Sequence, residues 1–286
     1  MPPAAPKLSA IIITKNEAAN IVGCLYALTF CDERIVVDCG SNDDTVRLAH
    51  EQGARVVHQD WLGFGAKKNF ALSLAAGDWV LTVDADERVS PELAIAIRAA
   101  INAGHADGYE LSRHSSFCGQ PMRHSGWYPD YVLRVFRRGT ARFSDHAVHE
   151  LVVSTGKIAR LEAPLNHTPV YKLEQALGRI DHYSSVGADE LLKTGARVSF
   201  ASGFVHGFAA FFKTYVLCAG FLDGRRGFLL AVANAEGTYY KYMKAWLPRT
   251  ARRLQRTARP ARERCHAAAR RRLKSSARTA RSGQAP

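Results

Sequence analysis

Asp84-Ala85-Asp86 follows directly on the apolar run Trp79 to Val83. A buried strand that stops at D-x-D presents two carboxylates a short distance apart at the mouth of a sheet. Such a pair suits Mg²⁺ or Mn²⁺, hard cations that take few protein oxygens and fill their shell with water and phosphate oxygens. A nucleoside diphosphate is the natural partner of that ion, which would neutralise charge on a departing diphosphate. A D-x-D alone is more often a solvated turn. Two further polar clusters stand in equivalent positions: Thr14-Lys15-Asn16-Glu17 after the run Leu8 to Ile13, and Asp38-Cys39-Gly40-Ser41-Asn42-Asp43-Asp44 after Arg34 to Val37.

The elements that must position these clusters are legible in the spacing. Leu8 to Ile13, Arg34 to Val37, Ala54 to Val57 and Trp79 to Val83 are rich in Ile and Val, as buried parallel strands require. Between them, Ile21, Leu25 and Leu28 keep helical spacing, Asp44 to Gln52 predicts a helix closed by Gly53, and Ala66 to Ala76 one closed by Gly77. Ser90-Pro91-Glu92 opens another, with Ser as cap and Pro in the first turn. Alternating strands and helices predict an α/β fold, an open, mostly parallel sheet covered on both faces. Ligands bind such sheets beyond the carboxyl ends of the strands, so the three clusters should meet on one rim. After about Gly104 the rhythm breaks into shorter strand-like pieces, Tyr109 to Arg113, Tyr131 to Phe136 and Glu150 to Val153, which predict a mixed-sheet second half. Val170 to Lys193 returns to helical spacing. Val198 to Leu222 is apolar and aromatic but interrupted by His206 and Lys213, which favours a helix lying in an interface over one spanning a membrane.

With 286 residues and 47% hydrophobic content, the chain is long enough for one sizeable α/β domain with an appendage or for two small domains. From Pro248 to Pro286 there are 13 Lys and Arg against one acid, so that tail holds +12 of the formal +13 and leaves +1 for the other 247 residues. The tail is Arg/Ala-rich and is expected to be disordered with transient helix. It has no interleaved aromatics and the remainder is not basic, so a nucleic-acid-binding protein is the disfavoured reading and no nucleic acid is expected as partner. Cysteines at 24, 31, 39, 118, 218 and 265 form neither CxxC pairs nor zinc spacings, as reduced thiols would. The N-terminus lacks the features of a secretory signal, which predicts a catalytic part on the cytoplasmic side.

The segments LSAIIITKNE (Leu8 to Glu17), IVVDCGSNDDT, GFGAKKNFAL and WVLTVDADE resemble, in that order, the nucleotide-binding half of family 2 glycosyltransferases, whose fold is GT-A. The later pieces GWYPDYVLRVFRRG, FSDHAVHE and Gly220-Phe221-Leu222-Asp223-Gly224 are similar to a narrower group, the lipopolysaccharide inner-core β-1,4-glucosyltransferases, which move glucose from UDP-glucose to a core heptose. The resemblance implies a UDP-sugar donor, a divalent cation (Mg²⁺ or Mn²⁺) and a lipid-linked oligosaccharide acceptor. It implies that Asn16 and Glu17 line the nucleotide pocket with Thr14, that Asp38 reaches the uracil, and that Lys68 and Asn69 lie near base and diphosphate. Asp84 would contact the ribose or the metal's water shell, and Asp86 the metal directly. His167, in LNHTPVY, resembles the histidine that completes the metal shell in many GT-A enzymes. Cys39 stands where many members have an acid or Ser, which leaves the base contact open.

Inversion at the anomeric carbon needs a base for the acceptor hydroxyl on the face opposite the diphosphate. Glu150 in FSDHAVHE is the first candidate and Asp145 the reserve, with His149 in the same cluster. Trp127, Asp130 and Arg134 are candidates for the acceptor pocket, Trp because it stacks on sugar faces, although core packing would explain it equally. The expected organisation is a nucleotide-sugar half (1–104), an acceptor half (105–195), a helical, membrane-associated appendage (196–247) and the basic tail (248–286). That tail would hold the protein peripherally at the anionic, cytoplasmic face of the inner membrane. The rival within enzymes is a transferase acting on polyprenyl phosphate or another lipid acceptor. A lectin-like module has no need of the acidic rim.

Overall fold

The structure, a computed structural model, describes residues 5–144, 151–170 and 172–247. Asp145, His149, Glu150 and the basic tail lie outside the described residues. By its internal contacts the chain divides into two compact units, residues 1–175 with 215–230, and residues 176–214 with 231–286.

In the first unit, β1 (Leu8–Thr14) lies between two parallel neighbours, β2 (Glu33–Asp38) and β4 (Trp79–Thr82), and β3 (Arg55–His58) extends the parallel set beyond β2. The strands are short, buried and β-branched, as the sequence predicts. β1 alternates its faces: Ala10 and Ile12 pack with α1 (Ile21–Tyr26) and α4 (Pro91–Ala103), while Ile11 packs on the other side with Ala71 of α3 (Phe64–Ser73). α2 (Thr45–Glu51) connects β2 to β3 and contributes Ala49 to the α1 and α4 side. Leu93, Ile97 and Ile101 put one face of α4 fully into the core. That helix begins as the sequence indicates: the Ser90 hydroxyl accepts from the Leu93 N–H at 3.1 Å, Pro91 occupies the first turn, and Gly104 closes it in the left-handed region. α3 differs from expectation. It starts at Phe64 and stops at Ser73, and Gly77 serves the strand instead, because a Cβ there would come within 2.8–2.9 Å of Ser9 and the Lys7 carbonyl.

The second half completes the sheet with β5 (Glu87–Val89), β6 (Gly108–Phe117), β7 (Gln120–Pro121), β8 (Tyr131–Arg137) and β11 (Ile158–Val170); β9 (Ala141–Phe143) and β10 (Val152–Ser154) form a separate ribbon. The order is β3-β2-β1-β4-β8-β6-β11-β5, with β8 and β5 antiparallel to their neighbours and β7 paired on β6. β5 and the 13-residue β11 have no counterpart in the expected elements. β11 runs through a register shift between Leu161 and Pro164, which breaks the alternation that sequence reading relies on.

The sheet curls for a reason of chain length. β4 and β5 are joined by four residues yet lie four strand positions apart. A flat sheet would separate them by about 19 Å, and the link closes a turn in which the Glu87 N–H donates to the Asp84 carbonyl at 2.9 Å. Five extended steps reach only about 17 Å, so the far edge must bend back toward β4. Val83 and the D-x-D tripeptide are that link.

In the second unit, α5 (Leu173–Lys193) contributes residues from Ala176 onward, with α6 (Phe200–Phe212) and the described end of a helix over residues 224–247, here α7. Lys244 ties α7 to α5 through Asp181 Oδ1 at 2.7 Å and the Ser184 and Ser185 hydroxyls. Among the described residues no single helix is long and apolar enough to cross a membrane; one bent pair, Phe200–Leu217 with Gly220–Leu247, meets that test jointly.

Candidate active site

The ends of β1 and β2 are stitched together. Asp38 accepts from the backbone N–H groups of Gly40 and Ser41, both at 2.8 Å, from the Ser41 hydroxyl at 2.5 Å and from the Thr14 hydroxyl at 3.2 Å. Burial alone would raise its carboxyl, but the bonds from Ser41 and Gly40 outweigh it and hold the group below its usual range. Asn16, at φ 56°, donates its N–H to the Ser41 hydroxyl (2.8 Å) and accepts from Asn42 N–H (2.9 Å), and Glu17 N–H donates to the Thr45 hydroxyl (2.8 Å). Lys67 and Lys68 of α3 are both buried. Lys67 lies under this rim, its ammonium donating to the Thr14 carbonyl at 3.1 Å and contacting Cys39 Sγ.

Lys68, one residue on, points to the D-x-D link. Its Nζ is 3.1 Å from Asp84 Oδ1, while Arg134 Nη2 of β8 lies 2.5 Å from Asp84 Oδ2 and 2.6 Å from Glu87 Oε1. Burial would raise Asp84, but Arg134 and Lys68 outweigh it and keep it ionised far below the carboxylate range. Glu87, fully buried, is shifted up by burial, with Arg134 opposing and Asp84 adding to the rise. Arg134, expected on the acceptor side, is thus buried between two carboxylates, and its Nε is the one buried side-chain donor without a hydrogen-bond partner among the described residues. Arg113 Nη1 approaches Glu87 at 3.8 Å, and Arg113 Nε binds Asp130 at 2.7 Å.

Asp86 faces the other way. Its carboxylate lies 3.6 Å from His167 Nε2, and its carbonyl accepts from Thr168 N–H at 3.0 Å, because β5 pairs His167 of β11 with Glu87. The Ser115 hydroxyl holds His167 Nδ1 at 2.8 Å, the outer contact that orients an imidazole and leaves Nε2 available to an ion. One cation at about 2.0–2.2 Å from each atom spans a 3.6 Å separation, so these two residues fit a divalent metal that takes water and phosphate oxygens elsewhere. Among the described residues no three His, Cys, Asp or Glu side chains form a closed cage.

Asn69 uses its whole amide on Phe143, donating to its carbonyl and accepting from its N–H, both at 2.9 Å. Trp127 lies edge-on to the buried Phe117 ring at 6.1 Å. A cavity of about 440 Å³ opens nearby, lined by His114, Ser116, Met122, Arg123, Tyr128 and Asn166. Sequence reasoning missed this lining and, although it singled out the tract Gly220 to Gly224, assigned no role to the group that holds its loop. Asp223 is buried and accepts from the N–H groups of Arg123 and His124 (both 3.1 Å), the Ser125 hydroxyl (2.9 Å) and His124 Nδ1 (3.1 Å). The pairing spans about a hundred positions of sequence, which no local pattern reveals. Ser115 was likewise invisible as a single polar residue.

The sequence profile described as Glycosyl transferase family 2 matches residues 9–152. An uncharacterized glycosyltransferase of Rickettsia felis is 32% identical over 254 residues, covering 83% of this chain and 89% of that one. The lipopolysaccharide core biosynthesis glycosyltransferase LpsC of Rhizobium meliloti is 30% identical over 256 residues, covering 82% and 93%. Among solved structures, glucosyl-3-phosphoglycerate synthase from Mycobacterium tuberculosis, in complex with Mn²⁺, UDP and glucosyl-3-phosphoglycerate, is 26% identical with a TM-score of 0.35, over 38% of this chain and 45% of that one.

Proposed function

The chain belongs to glycosyl transferase family 2, a transferase with a mixed, curled sheet of the GT-A kind, and from that premise we propose a hexosyl transfer with inversion. The donor is a nucleoside-diphosphate sugar, UDP-glucose by the motif resemblance. The acceptor is a lipid-anchored glycan, read as heptose of a lipopolysaccharide core. The observation that carries the reading is the Asp84–Asp86 link at the carboxyl end of β4, with Asp86 set against His167. The resemblance to LpsC, named for lipopolysaccharide core biosynthesis, supports the acceptor class.

The roles follow from position. Thr14, Asn16, Glu17 and Asp38 form the rim that receives the nucleotide. Asp84 is held ionised between Lys68 and Arg134, facing the ribose or the water around the ion. Asp86 and His167 would hold Mg²⁺ or Mn²⁺. A bound cation supplies charge neutralisation on the leaving diphosphate. Glu150, with Asp145 in reserve, removes the acceptor proton. The cavity lined by Tyr128 and Arg123 receives the acceptor sugar, with Trp127 and Asp130 on its approach. The basic tail keeps the enzyme at the anionic, cytoplasmic face of the inner membrane.

A panel of UDP-sugars, each assayed for metal-dependent UDP release with and without extracted core oligosaccharide, tests donor, ion and acceptor together. UDP-glucose should release UDP fastest when both oligosaccharide and Mg²⁺ or Mn²⁺ are present. Equal release without metal, or preference for polyprenyl phosphate as acceptor, would refute the corresponding part.

A further inference from the structure

We propose that the exposed aromatic stripe of α6 is a lipid-docking surface, inserted at the level of the headgroups, beside the electrostatic attachment of the tail. Phe200, Phe204, Phe208 and Phe212 recur every fourth residue and, with Val205, lie on one side of α6. All five are exposed, Phe208 to 71% and Val205 to 63%. The adjoining side packs on α7, where Phe200 and Phe204 also meet Trp246 and Tyr239, with ring centroids 5.4 and 5.2 Å apart. A Cβ on Gly203 would meet Met243 and Tyr239 of α7 at 2.6 and 3.2 Å, one on Gly207 would meet the Ala235 carbonyl at 3.2 Å, and His206 stacks on Tyr242 with ring centroids 4.2 Å apart. Gly203 and Gly207 therefore let α7 approach closely, while Val205, Phe208 and Phe212 face outward and Phe200 and Phe204 stay more than half exposed at the edge, the reverse of a helix that buries its bulk in a core.

Three features select a bilayer surface as the occupant. Even with its π-helical continuation to Leu217, this helix is not long and apolar enough to cross a membrane. α6 itself is about 20 Å long against a hydrocarbon core of about 30 Å. Between Glu190 and Asp223 the sequence has no acidic residue, while Lys193, Arg197 and Lys213, all exposed, bracket the stripe. An aromatic face rimmed by cations without acids matches the interface of an anionic bilayer. The +12 tail has too few apolar residues to cover the stripe and carries the same sign of charge. The choice of a bilayer rests in part on the lipid-anchored acceptor proposed above.

The test is sedimentation of the full chain with vesicles of phosphatidylcholine alone or mixed with phosphatidylglycerol, at low and high salt. Wild type should bind the mixed vesicles and keep a salt-resistant fraction, since screening removes the tail's attraction and leaves the apolar contact. Phe204→Ser/Phe208→Ser should bind about tenfold more weakly or worse at high salt. Phe208→Trp should bind as wild type, and the indole emission it adds should be quenched by lipids brominated in the acyl chain. Unchanged partition of the double Ser variant, wild type remaining in solution, or added emission in Phe208→Trp that brominated lipids fail to quench would each overturn the proposal. So would a dimer that the double Ser variant dissolves, because the stripe would then cover a second copy. UDP release with delipidated oligosaccharide, measured on the same samples, separates the two readings: its absence refutes the transfer reaction and leaves the vesicle result standing.

Discussion

Arg134 and Asp86 stand within one cluster of charge but carry different loads. Arg134 compensates the fully buried Glu87 and helps hold Asp84 ionised. Arg134→Met strands a buried carboxylate, which costs about 3 kcal/mol or more, and should lower the melting temperature by several degrees in calorimetry. Asp86, at the edge against His167, is the proposed metal ligand, so Asp86→Asn should melt as wild type while transfer falls about 100-fold or more. A normal rate for that variant would remove Asp86 from the site. Glu150→Gln should abolish transfer and leave UDP-glucose binding, measured by calorimetric titration, unchanged; near-normal turnover would exclude it as base. Asp38 predicts a pH effect. Its folded-state carboxyl is lowered, so its stabilisation is complete above the unfolded value, about 3.9, and is lost as pH falls through the folded value. Urea unfolding below about pH 4 should therefore show a shallower loss of stability in Asp38→Asn than in wild type.

At the scale of elements, the site depends on two connections that join distant stretches. The D-x-D link makes β5 pair with β11 and so brings His167 to Asp86. The turn at Gly220–Asp223 clamps the loop from Arg123 to Ser125 with four hydrogen bonds to one carboxylate. Asp223→Asn replaces an acceptor oxygen by a donor among donors, leaving at least one buried group unpaired at about 1–3 kcal/mol. Because that loop lines the cavity beside Tyr128, the expected outcome is a raised KM for the acceptor with donor KM unchanged. Steady-state kinetics with each substrate varied in turn will decide, and equal effects on both would assign Asp223 to general stability.

The whole molecule separates its charge from its chemistry. Nearly all the excess positive charge belongs to residues 248–286, and the site lies in the near-neutral remainder. Each engaged cation contributes about 1 kcal/mol at an anionic surface, so a few suffice for attachment at moderate salt. Deleting Pro248 to Pro286 should shift the protein from membrane to soluble fraction at low salt without altering its far-ultraviolet circular dichroism. Unchanged partitioning would refute a tethering role for the tail.

The first four strands, their helices and the acidic rim were legible in the sequence because each depends on local patterning. Ile and Val runs make strands, Ser90-Pro91 caps a helix, and polar residues at strand ends meet wherever the strands are parallel. The second half was only partly legible. β5 has three residues, and β11 loses its alternation at a register shift, so neither leaves a periodic trace. Tertiary structure alone decided which charges pair. Lys68 and Arg134 converge on the first aspartate with Glu87 alongside, and Asp223 reaches a loop a hundred residues away, whereas the meeting of His167 with the second aspartate was already implied by the family resemblance. These contacts arise from sheet curvature and strand order, which are set by the sum of many long-range packings and not by any neighbouring residues.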